Sequence, residues 1–328
     1  MKIDQHTDIQ PVLVVEGGNV FKGQTSGIKK ENISPTLNEY FKELAAIFPN
    51  KSKIFNEQYF NPVGSVGKVD ESGDIDLAVD VSVILDKDMS DNAIAEWGVD
   101  PAEVLAEFQL LTKRARTSTP SQLRMKAFLK VLAKQINIKA PVLKADEKKV
   151  STGNMFGLYP QSNASGKKLD INVQIDWMVG DLPWLKFSYY SAPRLLTSNV
   201  KGLHRTQLML SAFQVANLSF NHVTGVKDKD TDLVVAHDPG QALAMLSARL
   251  GFDILQEDAE DYFKLHALLK EKMKPADYSQ LLNVYFKILD STRADIPNNL
   301  QEEWILRKDK LSLSGKFLPA TSNLLAQL

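Results

Sequence analysis

Two short stretches constrain this fold more than any other part of the chain: Asp74-Ile-Asp-Leu-Ala-Val-Asp-Val and the run LDINVQIDWMV from Leu169 to Val179. Both alternate polar and apolar residues with a period of two, the pattern of a strand with one buried face. Both also carry carboxylates within the alternation. Successive side chains on a strand point to opposite faces, so Asp74 and Asp76 project from the same one. Two carboxylates held that close resist joint ionisation, and a cation between them removes the conflict. Asp176 sits mid-strand between Ile175 and Trp177, where a lone charge needs a reason. Asp170 shares its face by parity but lies nearer the strand start, as a solvated edge residue would.

The rest of the chain supplies elements around these strands. Val12 to Val15 reads as a short strand ending at Gly17-Gly18. Ser34-Pro35 is expected to open a helix, with Leu37, Tyr40, Phe41, Leu44 and Ile47 at helical spacing and Pro49 as its stop. Ile54 to Val63 reads as a strand. Asp100-Pro101-Ala102-Glu103 and Thr119-Pro120-Ser121-Gln122 are helix starts, each with a capping residue, a first-turn proline and an acceptor three residues on. In the second of these helices Met125, Phe128, Leu129, Leu132 and Ile136 form one apolar face, and Lys126, Lys130 and Lys134 line another. Ser151 to Gly166 reads as loop or hairpin. From Leu203 onward the periodicity is mainly helical, so the expected division is an α/β domain over 1–195 and a helical domain over 196–328.

Composition removes several functional classes. The chain has 328 residues, 44% of them hydrophobic, enough to bury a real core. With no cysteine, disulfides, thiolate nucleophiles and Cys-ligated zinc are excluded. The 39 basic residues nearly match the 40 acidic ones, so only local clustering can speak for nucleic acid. The first eighteen residues place acidic groups before a short apolar run, unlike a secretory signal. No stretch approaches the ~20 apolar residues of a membrane span. A cytoplasmic protein with no membrane partner is the expectation.

The chemistry concentrates in Gly64-Ser65-Val66-Gly67-Lys68-Val69-Asp70-Glu71-Ser72-Gly73-Asp74-Ile75-Asp76. Gly-Ser ends one strand and offers backbone amides and a hydroxyl to a phosphate. The acidic pair suits a hard divalent ion, Mg²⁺ or Mn²⁺, whose other ligands are water and phosphate. A third carboxylate, with Asp176 the best candidate, would complete a two-metal arrangement. Gly-Ser followed by Asp-x-Asp resembles the hallmark of the DNA polymerase beta-like nucleotidyltransferase superfamily. That group includes CCA-adding enzymes, poly(A) polymerases, antibiotic nucleotidyltransferases and nucleotide second-messenger synthases. The element order over roughly residues 34 to 180 is similar too.

The resemblance implies a nucleotidyltransferase-like fold: a mixed, largely antiparallel sheet flanked by helices, followed by a mainly helical C-terminal domain. It implies catalytic and metal-binding roles for Asp74, Asp76 and Asp176, with Asp176 activating the acceptor hydroxyl. Gly64, Ser65 and Lys68 would then bind the nucleoside triphosphate, and Lys201 and Arg205 would reach it across an interdomain cleft from a helix N-terminus. The expected reaction moves a nucleotidyl group to a hydroxyl and releases pyrophosphate. From Lys113 to Lys134 run seven basic residues and no acidic one, which would suit triphosphate or an RNA or DNA backbone as well as an ordinary solvated face. That run makes a polynucleotide end the first acceptor to consider, through Lys126, Lys130 and Lys134. A small molecule, a protein hydroxyl or a second nucleotide is the alternative, as is an inactive module that only binds nucleotide or nucleic acid.

Three further signals carry less. Gly18 to Thr25 resembles a phosphate-binding loop but has Gln24 where lysine is needed, and reads as a turn. Asp228, Asp230 and Asp232 start like a calcium loop, but Leu233 and Pro239 stand at its glycine and closing glutamate positions. Trp184, Tyr189 and Tyr190 follow the third carboxylate and read as core packing more than as base-stacking residues.

Overall fold

Which strand pairs with which decides where the carboxylates meet. The computed structural model describes residues 20–311 other than 22, 116–117 and 193–197; the strand expected at Val12 to Val15 lies outside the described residues. The first part of the chain runs β1 (Ile28–Lys29), α1 (Lys30–Ile47), β2 (Phe60–Val63), β3 (Glu71–Ser72), β4 (Ile75–Asp80), α2 (Val81–Ile84), α3 (Asp91–Ala95), α4 (Pro101–Thr112) and α5 (Pro120–Lys139). It continues through β5 (Lys144–Ala145), β6 (Asn154–Ser162), β7 (Lys168–Gly180) and α6 (Leu182–Ser188). A mixed five-stranded sheet of order β2-β4-β7-β6-β5 results, antiparallel except where β4 lies parallel to β7.

The two faces of this sheet are chemically unlike. Ile75, Leu77 and Val79 of β4 and Ile175, Trp177 and Val179 of β7 join a large core with Leu37, Tyr40 and Leu44 of α1 and Phe128, Leu129 and Leu132 of α5. By the pleat, Asp76, Ala78, Asp176 and Met178 face the other way. There, a small cluster of Val63, Ala78, Met178 and Leu185 packs α6 onto the sheet. Trp184 and Phe187 of the same short helix point instead into a second core, so α6 joins the two.

That second core is built from α7 (Gly202–Val215), β8 (Leu218–Asn221), β9 (Gly225–Asp228), β10 (Val234–Ala236), α8 (Pro239–Leu250), α9 (Gln256–Ala259), α10 (Tyr262–Lys272), α11 (Pro275–Thr292) and α12 (Gln301–Arg307). The three short strands form an antiparallel sheet that helical periodicity alone does not reveal. Each is four residues or fewer, too short to impose a visible alternation. No helix among the described residues is long and apolar enough to cross a membrane.

Two expected boundaries shift, and one open alternative resolves to a hairpin. The first helix begins at Lys30, not Ser34, and Pro35 lies inside it; Lys30 N–H donates to the Asp70 carbonyl, which anchors the earlier start. The strand expected from Ile54 begins only at Phe60. A 3-10 turn over Pro49–Ile54 ends at the expected strand start, and a bend follows in which Asn56 Oδ1 accepts from Gln58 N, a local bond that competes with a ladder. The stretch from Ser151 to Gly166 is mostly strand: β6 pairs with β7 as one arm of a hairpin. Both proline-led helix starts hold, with Asp100 capping α4 and a full Thr119–Gln122 capping box on α5.

One buried hydrogen bond ties α1 to the central strand: Trp177 Nε1 donates to Tyr40 Oη over 2.8 Å, and both residues are buried. Tyr40→Phe leaves that indole N–H unpaired in the core, at a cost of about 1–3 kcal/mol. Urea unfolding should show the lower midpoint with an unchanged slope; an unaltered midpoint would mean the indole finds another acceptor.

Candidate metal and phosphate site

Parallel pairing of β4 with β7 sets Asp76 directly beside Asp176 in register. Asp74 stands one residue before β4, and single carboxylate oxygens of the three residues lie within 4.8 Å of one another. Asp74 and Asp176 are buried, Asp76 partly so. Burial first, then the Asp74 and Asp176 charges, push the Asp76 carboxyl well above the ordinary carboxylate range. Asp176 is raised in the same direction by burial and then Asp74, while a hydrogen bond from Gln174 works against it. Asp176 Oδ1 is buried without a hydrogen-bond partner. An all-oxygen set with a buried open oxygen fits a hard divalent cation, and Asp74, Asp76 and Asp176 are the residues that would hold one.

Gly64 closes over this group. Its φ is +65°, and a Cβ there would fall 2.8 Å from Asp76 Oδ2, so the turn needs glycine both for its backbone and for the room it leaves the carboxylate. The Gly64 N–H, expected to face a phosphate, donates instead to the Tyr189 carbonyl over 3.1 Å. The Ser65 carbonyl accepts from Lys68 N at 3.0 Å and from Ser72 Oγ at 3.2 Å. Lys68 Nζ donates to the Ser191 carbonyl over 2.8 Å and lies over the Tyr190 ring. The hairpin is thereby fastened to the chain segment that follows α6. Tyr189, half-buried beside Asp76, has its hydroxyl proton held more tightly by desolvation and by that charge. Its other side meets His222 at 5.2 Å between rings, in the β8–β9 turn. Trp184 belongs to the second core and donates to the Asn221 carbonyl.

The remaining expected residues do not gather here. Lys126, Lys130 and Lys134 ride on α5, which packs against the opposite face of the sheet from the carboxylates; nearness along the chain did not become nearness in space. Lys130 pairs with Glu107, and Lys134 lies 3.4 Å from Glu103, both on α4, so this row is partly neutralised. Arg124 pairs with Asp91, and Arg116 lies outside the described residues. Lys201 caps α7, its N–H bonded to His204 Nδ1. Arg205 is buried, donating to the carbonyls of Ala259 and Phe187 and stacking on the Phe187 ring; it ties α6 to the second core from within rather than opening onto a cleft. Asp170 is exposed at the start of β7. The described part of the Gly18 to Thr25 stretch is a turn, Gln24 N–H to Phe21 carbonyl. Asp228 accepts from the backbone of Asp230 and Thr231 and pairs with Arg249, which makes that loop a self-contained turn.

Gln174 is the residue that sequence reading passed over. Fully buried, it donates from Nε2 to Asp176 Oδ2 over 2.8 Å. The signal lay in the alternation: Asn172, Gln174 and Asp176 share one face of β7, a polar row that runs into the buried half of the strand. The sequence matches no family model and no curated protein.

The raised carboxyls give a signed pH effect. Asp76 and Asp176 bind protons more tightly folded than unfolded, so above about pH 4 the folded state holds more protons and stability falls as pH rises through the folded values. In the absence of divalent metal, the melting temperature should drop between about pH 5 and about pH 8, and less so for Asp76→Asn. Adding Mn²⁺ should raise it more at the higher pH. A wild-type slope no steeper than the variant's would mean that the carboxylates do not repel.

Proposed function

We propose that this chain is a divalent-metal-dependent nucleotidyltransferase of the polymerase beta-like kind, transferring a nucleotidyl group from a nucleoside triphosphate to a hydroxyl with release of pyrophosphate. The observation that carries the reading is the convergence of Asp74, Asp76 and Asp176 within 4.8 Å, beneath a glycine turn that leaves room for nothing larger at position 64. Mixed α/β architecture, with a five-stranded sheet between helices and a further α-rich part, is consistent with it.

In this reading Asp74, Asp76 and Asp176 Oδ1 would hold the ion, and the acceptor hydroxyl, activated beside Asp176, would lose its proton to solvent. Bound there, Mg²⁺ or Mn²⁺ would stabilise charge on the phosphoryl oxygens and on the leaving pyrophosphate. The acceptor oxygen bonds to the α-phosphorus while the bond to the β-bridging oxygen breaks, and pyrophosphate carries away that electron pair. Ser65 and the turn to Lys68 border the triphosphate. Because the α5 lysine row lies on the far face of the sheet, the proposal covers any hydroxyl acceptor rather than a polynucleotide end alone.

Incubation with each labelled triphosphate, Mg²⁺ or Mn²⁺ and a panel of polynucleotide, protein and small-molecule acceptors tests the reading. Asp74→Asn and Asp76→Asn should abolish transfer, and Asp176→Asn should lower kcat by at least ~100-fold with little change in triphosphate KM. Near-native turnover in either of the first two variants would refute the assignment. Gln at Lys126, Lys130 and Lys134 together should leave turnover on small acceptors intact; a lower salt slope on RNA or DNA alone would restore a backbone role for the row.

A further inference from the structure

A carboxylate that is to offer one oxygen outward must have its other oxygen held. Asp176 Oδ2 accepts from Gln174 Nε2 over 2.8 Å, and Oδ1 is the buried oxygen without a partner. A carboxamide could present either its oxygen or its nitrogen, since the two ends have nearly the same shape. Here the far end settles the choice: Val20 N–H donates to Gln174 Oε1 over 3.1 Å. A backbone N–H can only donate, so the atom facing it must be the carbonyl oxygen, and the NH₂ must face Asp176. The flipped amide would set oxygen against carboxylate and N–H against NH₂, two repulsive contacts in a fully buried place.

Val20 is itself anchored. Its carbonyl accepts from Lys149 Nζ over 2.6 Å. Farther along the same segment, Ser26 N–H donates to the Asn172 carbonyl and the Gly27 carbonyl accepts from Gln161 Nε2 over 3.0 Å. The segment then becomes β1, which pairs with β3 just before Asp74. This strap thus contacts β7 at Gln174 and Asn172 and pairs with β3 just ahead of Asp74.

We infer that Gln174 is the positioning residue of this site, and that the backbone amide of Val20 sets the direction in which its carboxamide points. The inference rests on reading the three carboxylates as a metal site. A neutral donor orients Asp176 without cancelling the charge a cation needs, which an arginine or lysine at position 174 would do. Holding Oδ2 leaves Oδ1 as the single ligand and stops the carboxylate from turning both oxygens to one ion. Partners of ligating carboxylates typically matter by about 10–100-fold in metal affinity.

Mn²⁺ alone, titrated into the full chain and followed by electron paramagnetic resonance, is the probe. Gln174→Met preserves length and removes both polar ends; Val20→Pro removes the N–H, fixing the backbone φ with it, and leaves the side chains of Gln174 and the three carboxylates unchanged. Gln174→Met should weaken Mn²⁺ binding about 10–100-fold, Val20→Pro should weaken it less, and Asp76→Asn should abolish it. Wild-type affinity in Gln174→Met, with Asp76→Asn dead, overturns the inference and spares the metal site. Wild-type affinity in Val20→Pro removes the strap from the account. Should Gln174→Met fail to fold, Val20→Pro decides alone. Unchanged binding in Asp76→Asn, or no binding in the wild type, defeats the metal reading itself and the inference with it.

Discussion

Everything distinctive about this protein follows from a repulsion. Parallel pairing of β4 and β7 fixes Asp76 beside Asp176, with Asp74 at the strand entrance. Three carboxylates brought together under partial burial are unfavourable unless protonated or matched by a cation. The fold does not spread them apart. Gly64 leaves space against Asp76, Tyr189 lies alongside, and Gln174 grips one oxygen of Asp176. Such an arrangement costs folding free energy and is sustained by the core on the other side of the sheet.

That core explains how the cost is borne. Alternation gives β4 and β7 one face of Ile, Leu, Val and Trp, which α1 and α5 bury. The same alternation aims the carboxylates away from that core, toward α6 and the segment through Ser191. Helix α6 is short but two-faced, with Leu185 on the sheet and Trp184 and Phe187 in the second core. Through Gly64 N–H to Tyr189 and Lys68 to Ser191, the turn above the carboxylates is tied to the same segment. The charged face is therefore framed by pieces of both cores.

Much of this was legible in the residues. Period-two alternation marks β4 and β7 and sets Asp74 and Asp76 on one face, with Asp176 mid-strand as the third carboxylate; capping signals locate α4 and α5. Illegible features were those set by tertiary partners. Nothing local says that α5 packs on the face opposite the carboxylates, so its lysines looked close to a site they do not approach. Arg205, at a helix start, read as a triphosphate contact across a cleft, while its carbonyl partners at Phe187 and Ala259 come from distant positions. Short strands β8 to β10 carry too few residues for alternation to stand out against the surrounding helical spacing. Gln174 gains its meaning only from Val20, 154 residues away.

The most direct test is crystallographic. Crystals grown with Mn²⁺ and a non-hydrolysable nucleoside triphosphate should show anomalous scattering among Asp74, Asp76 and Asp176, with phosphate density beside the Gly64-Ser65 turn. Manganese bound elsewhere, with the three carboxylates unliganded and the triphosphate absent from that turn, would contradict the account.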